Sequence, residues 1–307
     1  MRYLTLHIIT PALWSDLDRN DPGAPRRETV AGAVREVLSG ESLERGIRAQ
    51  FEDASAVGER VGPANEGNAR EDNLFDTEKH ARSTDTSLSA TNIETAAATI
   101  AGPRAGTFSG GERTGSLAAA SFGRTYSDAP DQSTVPAIAV SPAVSTHQPD
   151  PEPRGSTFSS TFTSGVFYRS VTIDRTQLHA NWSPAGPGDA AGELAAMVMA
   201  LVYAVPACDR SENRPFTSAP LLVLAEEQHQ PFAYSFDPPV RAAELGGYGG
   251  PTLASLRRQR ETALRLRSHN FGLAAVAGTA DGLAHLQATE GPLQSLVDTV
   301  VDGILKH

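Results

Sequence analysis

The apolar pattern of this chain is interrupted in the middle, and the interruption dictates how a core can be assembled. Residues 1–51 and 162–307 carry strand-like and helix-like patterns of large apolar side chains, whereas residues 52–160 are mostly Ser, Thr, Gly, Ala, Pro and Asp. The exceptions in the middle are Leu74-Phe75, Ile93 to Ile100 and Val135 to Val144. Such a composition buries too little apolar area to offset its ordering entropy, so the two flanking blocks must close on each other. The expected organisation is one core from residues 1–51 and 162–307, an irregular insertion over 52–120 and a loop over 121–161. A helix is expected from Asn92 to Ile100, while Pro130, Pro136, Pro142, Pro149, Pro151 and Pro153 keep the rest of the middle mostly extended or loop.

Tyr3 to Thr10 alternates and reads as a first strand, ended by Pro11. After a polar loop from Trp14 to Arg27, Ser42, Leu43, Ile47 and Phe51 mark a short helix with Ser39 and Ser42 as N-cap candidates. Gly165 to Ile173 has the best strand composition in the chain. Gly192 to Val205 reads as a buried helix stopped by Pro206. Leu221 to Ala225 and Pro231 to Phe236 read as a hairpin, Leu253 to Arg267 as an arginine-rich amphipathic helix, and Leu293 to Leu305 as a terminal helix. This order predicts an α+β fold, RNA-recognition-motif-like or ferredoxin-like, with helices on one face of the sheet.

Charge and composition narrow the function. With 26 basic and 36 acidic residues the formal charge is −10, which argues against a free-standing sequence-independent DNA binder while leaving room for a local basic groove. Cys208 is the only cysteine, so internal disulfides and cysteine-based zinc sites are excluded. The longest apolar run, Leu194 to Ala207, is too short to span a bilayer, and the N-terminus lacks a cleavage pattern, so a cytoplasmic protein without membrane contact is expected. The Asn181-Trp182-Ser183 sequon carries no weight in that setting.

Catalytic signatures are missing. In Gly106-Thr107-Phe108-Ser109-Gly110-Gly111-Glu112-Arg113-Thr114 a carboxylate stands where a phosphate loop needs its lysine. The 8 histidines lack metal-ligand spacing, there is no GxSxG elbow, and His7 reads as a half-buried packing residue. No catalytic residue, metal or cofactor is expected.

Four ordered words carry a resemblance. Leu4-Thr5-Leu6-His7 with Leu17-Asp18-Arg19-Asn20-Asp21, then Gly32, Arg35, Ser39, Ser42-Leu43, Arg45 and Arg48, form the first. Phe122-Gly123-Arg124 and Ser145-Thr146-His147 are the next two, and Thr163-Ser164-Gly165-Val166-Phe167-Tyr168-Arg169 with Ile173-Asp174 and Gln177-Leu178 is the fourth. Together they resemble CasC, the backbone subunit of the subtype I-E CRISPR Cascade complex, over about residues 3 to 50 and 120 to 270. The resemblance implies an RNA-recognition-motif-like palm (1–51 and 162–307), a finger-like insertion (52–120) and a short thumb-like loop (121–161). It also implies a non-enzymatic subunit that polymerises along a guide RNA. Its partners would be that RNA, target DNA through the guide, copies of itself and other Cascade subunits.

Carried onto this chain, the resemblance assigns RNA-backbone contacts to Arg19, Arg26, Arg35, Arg45 and Arg48. Ser39 and Ser42 would add hydroxyl donors, and His147 and Phe158 are thumb candidates, with Phe158 or Phe162 able to stack on a base. The chain departs from the family where Glu36, Glu41 and Glu44 replace part of a basic run. Residues 1–50 hold Arg2, Arg19, Arg26, Arg27, Arg35, Arg45 and Arg48 against Asp16, Asp18, Asp21, Glu28, Glu36, Glu41 and Glu44, so the segment is neutral. The expected RNA affinity per subunit is therefore low. The alternative is an assembly scaffold of the same fold that has lost RNA binding.

Overall fold

The computed structural model describes residues 1–15, 25–60, 113–123, 134–149, 163–184, 186–205 and 219–306. Arg19, Arg124, Phe158, Phe162, Cys208, the 92–100 helix and most of the phosphate-loop-like stretch lie outside them. The chain divides into two compact units, one of residues 1–50, 140–172 and 197–306, the other of residues 51–139, 173–196 and 307.

The first unit is built on a sheet. Its strands are β1 (Tyr3–Ser15), β2 (Arg27–Val30), β3 (Ala33–Leu38), β5 (Ala143–Ser145), β6 (Thr163–Asp174), β7 (Leu222–Gln228), β8 (Phe271–Ala277) and β9 (Thr289–Glu290); β4 (Ile138–Val140) falls mostly in the second unit. The spatial order is β2-β3-β5-β6-β1-β7-β8-β9. Pairing is antiparallel from Tyr3↔Gln228 to Ile9↔Leu222 between β1 and β7, and likewise for β2–β3, β3–β5, β5–β6 and β7–β8, while β8–β9 is parallel. The helices are α1 (Gly40–Arg60), α2 (Leu117–Phe122), α3 (Arg175–Asn181), α4 (Pro187–Tyr203), α5 (Gly249–Arg267) and α6 (Leu293–Leu305).

Residues Tyr168 and Arg169 fix which face each helix covers. Neighbours in a strand point to opposite faces. Val166 and Tyr168 join Ile9, Leu222, Leu224, Leu256, Ala263, Phe271 and Val276 in one core, which places α5 on that face. Phe167 packs with Leu38, Leu43 and Ala143 under α1 on the other. Arg169 points to that second face too, where it donates to the Leu201, Val202 and Ala204 carbonyls at the end of α4, each at 2.8 Å. Helices thus cover both faces of the sheet, not the single face expected, and Leu222 to Glu226 of β7 are buried without alternation.

Pro11 does not end the first strand, which runs on to Ser15. Pairing with β7 stops at Ile9, so the missing N–H of Pro11 breaks no bond of that ladder. Pro231 to Phe236 is not a strand, because β1 and β8 already occupy both edges of β7. Its backbone instead donates to side chains: Phe232 to Gln228 Oε1 at 2.8 Å, Tyr234 to Tyr168 Oη at 2.9 Å and Ser235 to Gln259 Oε1 at 2.9 Å. Strands β2 and β3 fill a stretch, after the polar loop that ends at Arg27, for which no element was expected. The β2–β3 hairpin turns at Ala31 (φ 50°) and Gly32 (φ 81°), both in the left-handed region that two-residue hairpins require.

In the second unit Leu117, Ala119, Phe122, Ile138, Ile173, Leu178, Trp182 and Leu194 are buried. Ser116 Oγ accepts Ala119 N–H to cap α2, and Asp174 caps α3 through Gln177 N–H. Asn181 of the sequon is buried and donates to the Ala120 and Val135 carbonyls at 2.9 and 2.8 Å. Gly123 has φ 75°, and a Cβ there would lie 2.6 Å from the Thr134 carbonyl oxygen.

Candidate nucleic-acid interface

The serines and arginines of α1 follow one inclined row, because Ser39, Ser42, Arg45 and Arg48 are spaced by three. Ser39 caps the helix: its Oγ accepts Ser42 N–H at 3.2 Å and its carbonyl accepts Leu43 N–H at 3.1 Å. Ser42 itself is buried. Arg45 is exposed and lies 4.0 Å from Glu41, and Arg48 donates to Glu44 at 2.9 Å. On the hairpin, Arg26 reaches Glu28 at 3.4 Å and Arg27 reaches Glu36 at 3.5 Å. Burial raises the Glu36 carboxyl above the ordinary range, and Arg27 works against it. Each arginine in this group therefore has a carboxylate beside it.

Arg35 is not among them. Only 2 % of it is exposed, its Nη1 donates to the Ser145 carbonyl at 2.7 Å, and its Nη2 donates to the Phe236 carbonyl. Burial lowers its pKa, with the charge of Asp237 opposing. A cation drawn inside onto two carbonyls ties β3 to β5 and to the 231–241 segment rather than facing a ligand.

His147 is likewise interior. Its ring stacks on Tyr248 with centroids 3.7 Å apart and lies against Gly165, where a Cβ would meet His147 Cε1 at 2.3 Å. The Ser145-Thr146-His147 word forms a strap. Ser145 Oγ accepts Glu36 N–H at 3.0 Å and donates to the His147 carbonyl at 2.8 Å. Thr146 N–H donates to the Val166 carbonyl and Val240 N–H to the Thr146 carbonyl, both at 2.9 Å, while the Thr146 and Thr252 hydroxyls lie 2.8 Å apart. Two of the four resembling words thus serve the scaffold.

Beneath α5 lies a buried polar cluster. Glu226 accepts from Arg260 Nε at 2.7 Å and from the Tyr234 hydroxyl at 3.0 Å, and His7 Nε2 lies 3.1 Å from it. The Tyr168 hydroxyl accepts Tyr234 N–H at 2.9 Å and lies 2.9 Å from His7 Nδ1. Burial pushes the Glu226 carboxyl up, but His7 and Arg260 outweigh it and hold its pKa below the ordinary value. Tyr168 and Tyr234 are both raised, chiefly by burial. His7 is fully buried, not half-buried as expected.

Above this cluster, α5 and residues 232–241 enclose an open groove of about 950 Å³. Arg241, Arg257, Arg258 and Arg267 line it. Arg267 donates to Gln230 Oε1 at 2.7 Å and Arg257 to the Gly282 carbonyl at 3.4 Å, neutral partners that leave the charges intact. Of the five arginines on α5, Arg260 alone pairs with a carboxylate among the described residues. The signal for this surface was present in the sequence as five arginines against Glu261 within one helix.

Among the described residues no group of His, Cys, Asp or Glu could hold a metal ion, and no helix is long and apolar enough to cross a membrane.

The fold is shared with solved proteins. Residues 155–299 match the family described as CT1975-like protein. A chain of a structure titled "CRISPR RNA-guided surveillance complex" superposes with a TM-score of 0.66 at 16 % identity, covering 98 % of this chain and 99 % of that one. A chain of a second structure, "CRISPR RNA-guided surveillance complex, pre-nicking", gives 0.64 at 16 % identity, covering 98 % and 100 %. No curated protein matches.

Proposed function

We propose that this chain is a non-catalytic backbone subunit of a Cascade-like RNA-guided complex in CRISPR defence, of the CasC type of subtype I-E. On this reading it acts in the cytoplasm, binds guide RNA and lines up with copies of itself along it. The observation that carries the reading is the end-to-end likeness to surveillance-complex chains, which spans 98 % of the sequence. The four ordered CasC-like words support it independently. The β-sheet unit is read as the RNA-recognition-motif-like palm, with sequence recognition of target DNA delegated to base pairing by the guide.

The carboxylates beside Arg26, Arg45 and Arg48 favour a second reading for the α1 surface, an assembly scaffold that no longer grips RNA there. Co-expression with the neighbouring genes of its operon, followed by sequencing of co-purified nucleic acid, tests both. Discrete RNAs with repeat-derived ends are expected. An assembled but RNA-free complex, formed in the presence of the guide, favours the scaffold.

A further inference from the structure

We infer that the groove between α5 and residues 232–241 binds single-stranded nucleic acid by its phosphodiester backbone. None of the groove residues belongs to the α1 surface, and the isolated full-length chain serves for the test.

Charge singles this groove out. The protein carries −10 overall, yet residues 249–267 hold five arginines and one acid, Glu261. On the α1 surface and beside the β2–β3 hairpin the structure answers arginine with carboxylate: Arg26 with Glu28, Arg45 with Glu41, Arg48 with Glu44. Along the groove this ceases. Arg260 turns inward to Glu226, anchoring the helix, and Arg241 and Arg258 are exposed without a carboxylate partner among the described residues. Asp237 also lines the groove, and its charge acts on the buried Arg35.

The shape selects an extended polyanion. The lining on α5 runs from Pro251 to Arg267, about 24 Å at the helical rise. Arg258 stands near the middle, Arg267 near one end, and Arg241 on the opposing wall. Guanidinium forks distributed along a channel match a polymer with a phosphate at every repeat. Phe232, Pro238 and Pro239 add an apolar wall, the combination found in grooves that track single strands without reading sequence. The walls are fixed before any ligand arrives, because the Thr146 strap holds both Val240 and Thr252.

The test is fluorescence anisotropy with oligouridylate, oligothymidylate and a polyglutamate peptide, at salt from about 50 to about 300 mM. RNA and DNA probes are expected to bind within a few-fold of each other and tighter than the peptide. Arg241→Ala with Arg258→Ala is expected to weaken binding about tenfold or more, and to flatten the log–log salt slope by roughly 0.7 for each phosphate no longer neutralised. Both side chains are exposed, so an unchanged thermal melt is expected to accompany the weaker binding. Wild-type levels of binding in that variant, with weakening in Arg45→Ala/Arg48→Ala instead, overturn the groove and leave the proposed function standing. Tighter binding of polyglutamate than of either oligonucleotide overturns the assignment in favour of an acidic protein partner. Absence of oligonucleotide binding by the wild-type chain also overturns it, whereas guide recovery from the assembled complex reads the proposed function separately.

Discussion

His147 lies so close to the backbone of Gly165 that a methyl group on that glycine would sit 2.3 Å from His147 Cε1 and 2.6 Å from Nε2. Tyr248 stacks on the ring at 3.7 Å, so the imidazole is held between a residue of the loop before α5 and the start of β6. The contact joins two of the words that suggested the CasC likeness, and it explains why a glycine precedes Val-Phe-Tyr-Arg. What makes these words legible in sequence is the demand of packing.

Gly165→Ala should therefore destabilise the protein by overpacking, by about 1–3 kcal/mol. The check is the urea midpoint by circular dichroism. His147→Ala in the same chain should recover part of the loss, because it removes the ring that the new methyl meets. A Gly165→Ala protein as stable as the wild type would show that the ring retreats freely.

The Glu226–Arg260 pair leads to a second expectation. Glu226→Gln leaves Arg260 charged in the interior, and a loss of about 3–5 kcal/mol follows in a buried pair. Adding Arg260→Met should restore part of it, since glutamine still accepts from the Tyr234 hydroxyl. Because the folded carboxyl has a depressed pKa, its contribution is fully present above the unfolded value of about 4.3 and is lost as pH falls through the lower folded value. Chemical denaturation from neutral to acid pH should show a shallower acid loss in the double variant than in the wild type.

The α+β character of the fold and most of its helices were readable because their apolar periods are strong. The Leu253 to Arg267 pattern became α5, and the alternation of Tyr3 to Thr10 became the paired part of β1. Three features were not readable, each decided by distant residues. Phe271–Ala277 is alanine-rich and lacks the usual strand composition, yet it is the element that completes β7. Phe232, Tyr234 and Phe236 alternate like a strand, yet β7 has no edge left for them. Arg35 looked like a surface cation, and only the meeting of Ser145 and Phe236 supplies the carbonyls that allow it inside. For the candidate interface, Ser39 and Ser42 were legible as the start of a helix. Arg241 belonged to no motif, and its place opposite Arg258 depends on the Thr146 strap.

Arg169 leads to a third expectation, about the end of α4. Its guanidinium serves three carbonyls of the last turn, and burial lowers its pKa to about 10. Arg169→Met strands those acceptors, and a loss of about 2–4 kcal/mol follows from leaving buried acceptors unsatisfied. Arg169→Lys should recover little, because a single ammonium cannot span the three oxygens as a planar fork does. Thermal melts of the three proteins check the order wild type, then lysine, then methionine.

The acids on α1 supply the last expectation. Glu41 and Glu44 sit one turn before Arg45 and Arg48, at 4.0 and 2.9 Å. Helical pairs of this spacing contribute only about 0.3–0.5 kcal/mol, so they can be removed at little structural cost. Their larger effect is electrostatic, since each cancels a cation that a phosphate would otherwise meet. If the α1 row contacts guide RNA, Glu41→Gln with Glu44→Gln should raise RNA affinity several-fold and steepen its salt dependence, with the melting temperature nearly unchanged. Titration of fluorescent RNA into the purified chain, carrying Arg241→Ala and Arg258→Ala to silence the α5 groove, isolates the effect. Unchanged affinity and slope in that background mean that phosphates do not reach the row, and the scaffold reading then holds for this face of the protein.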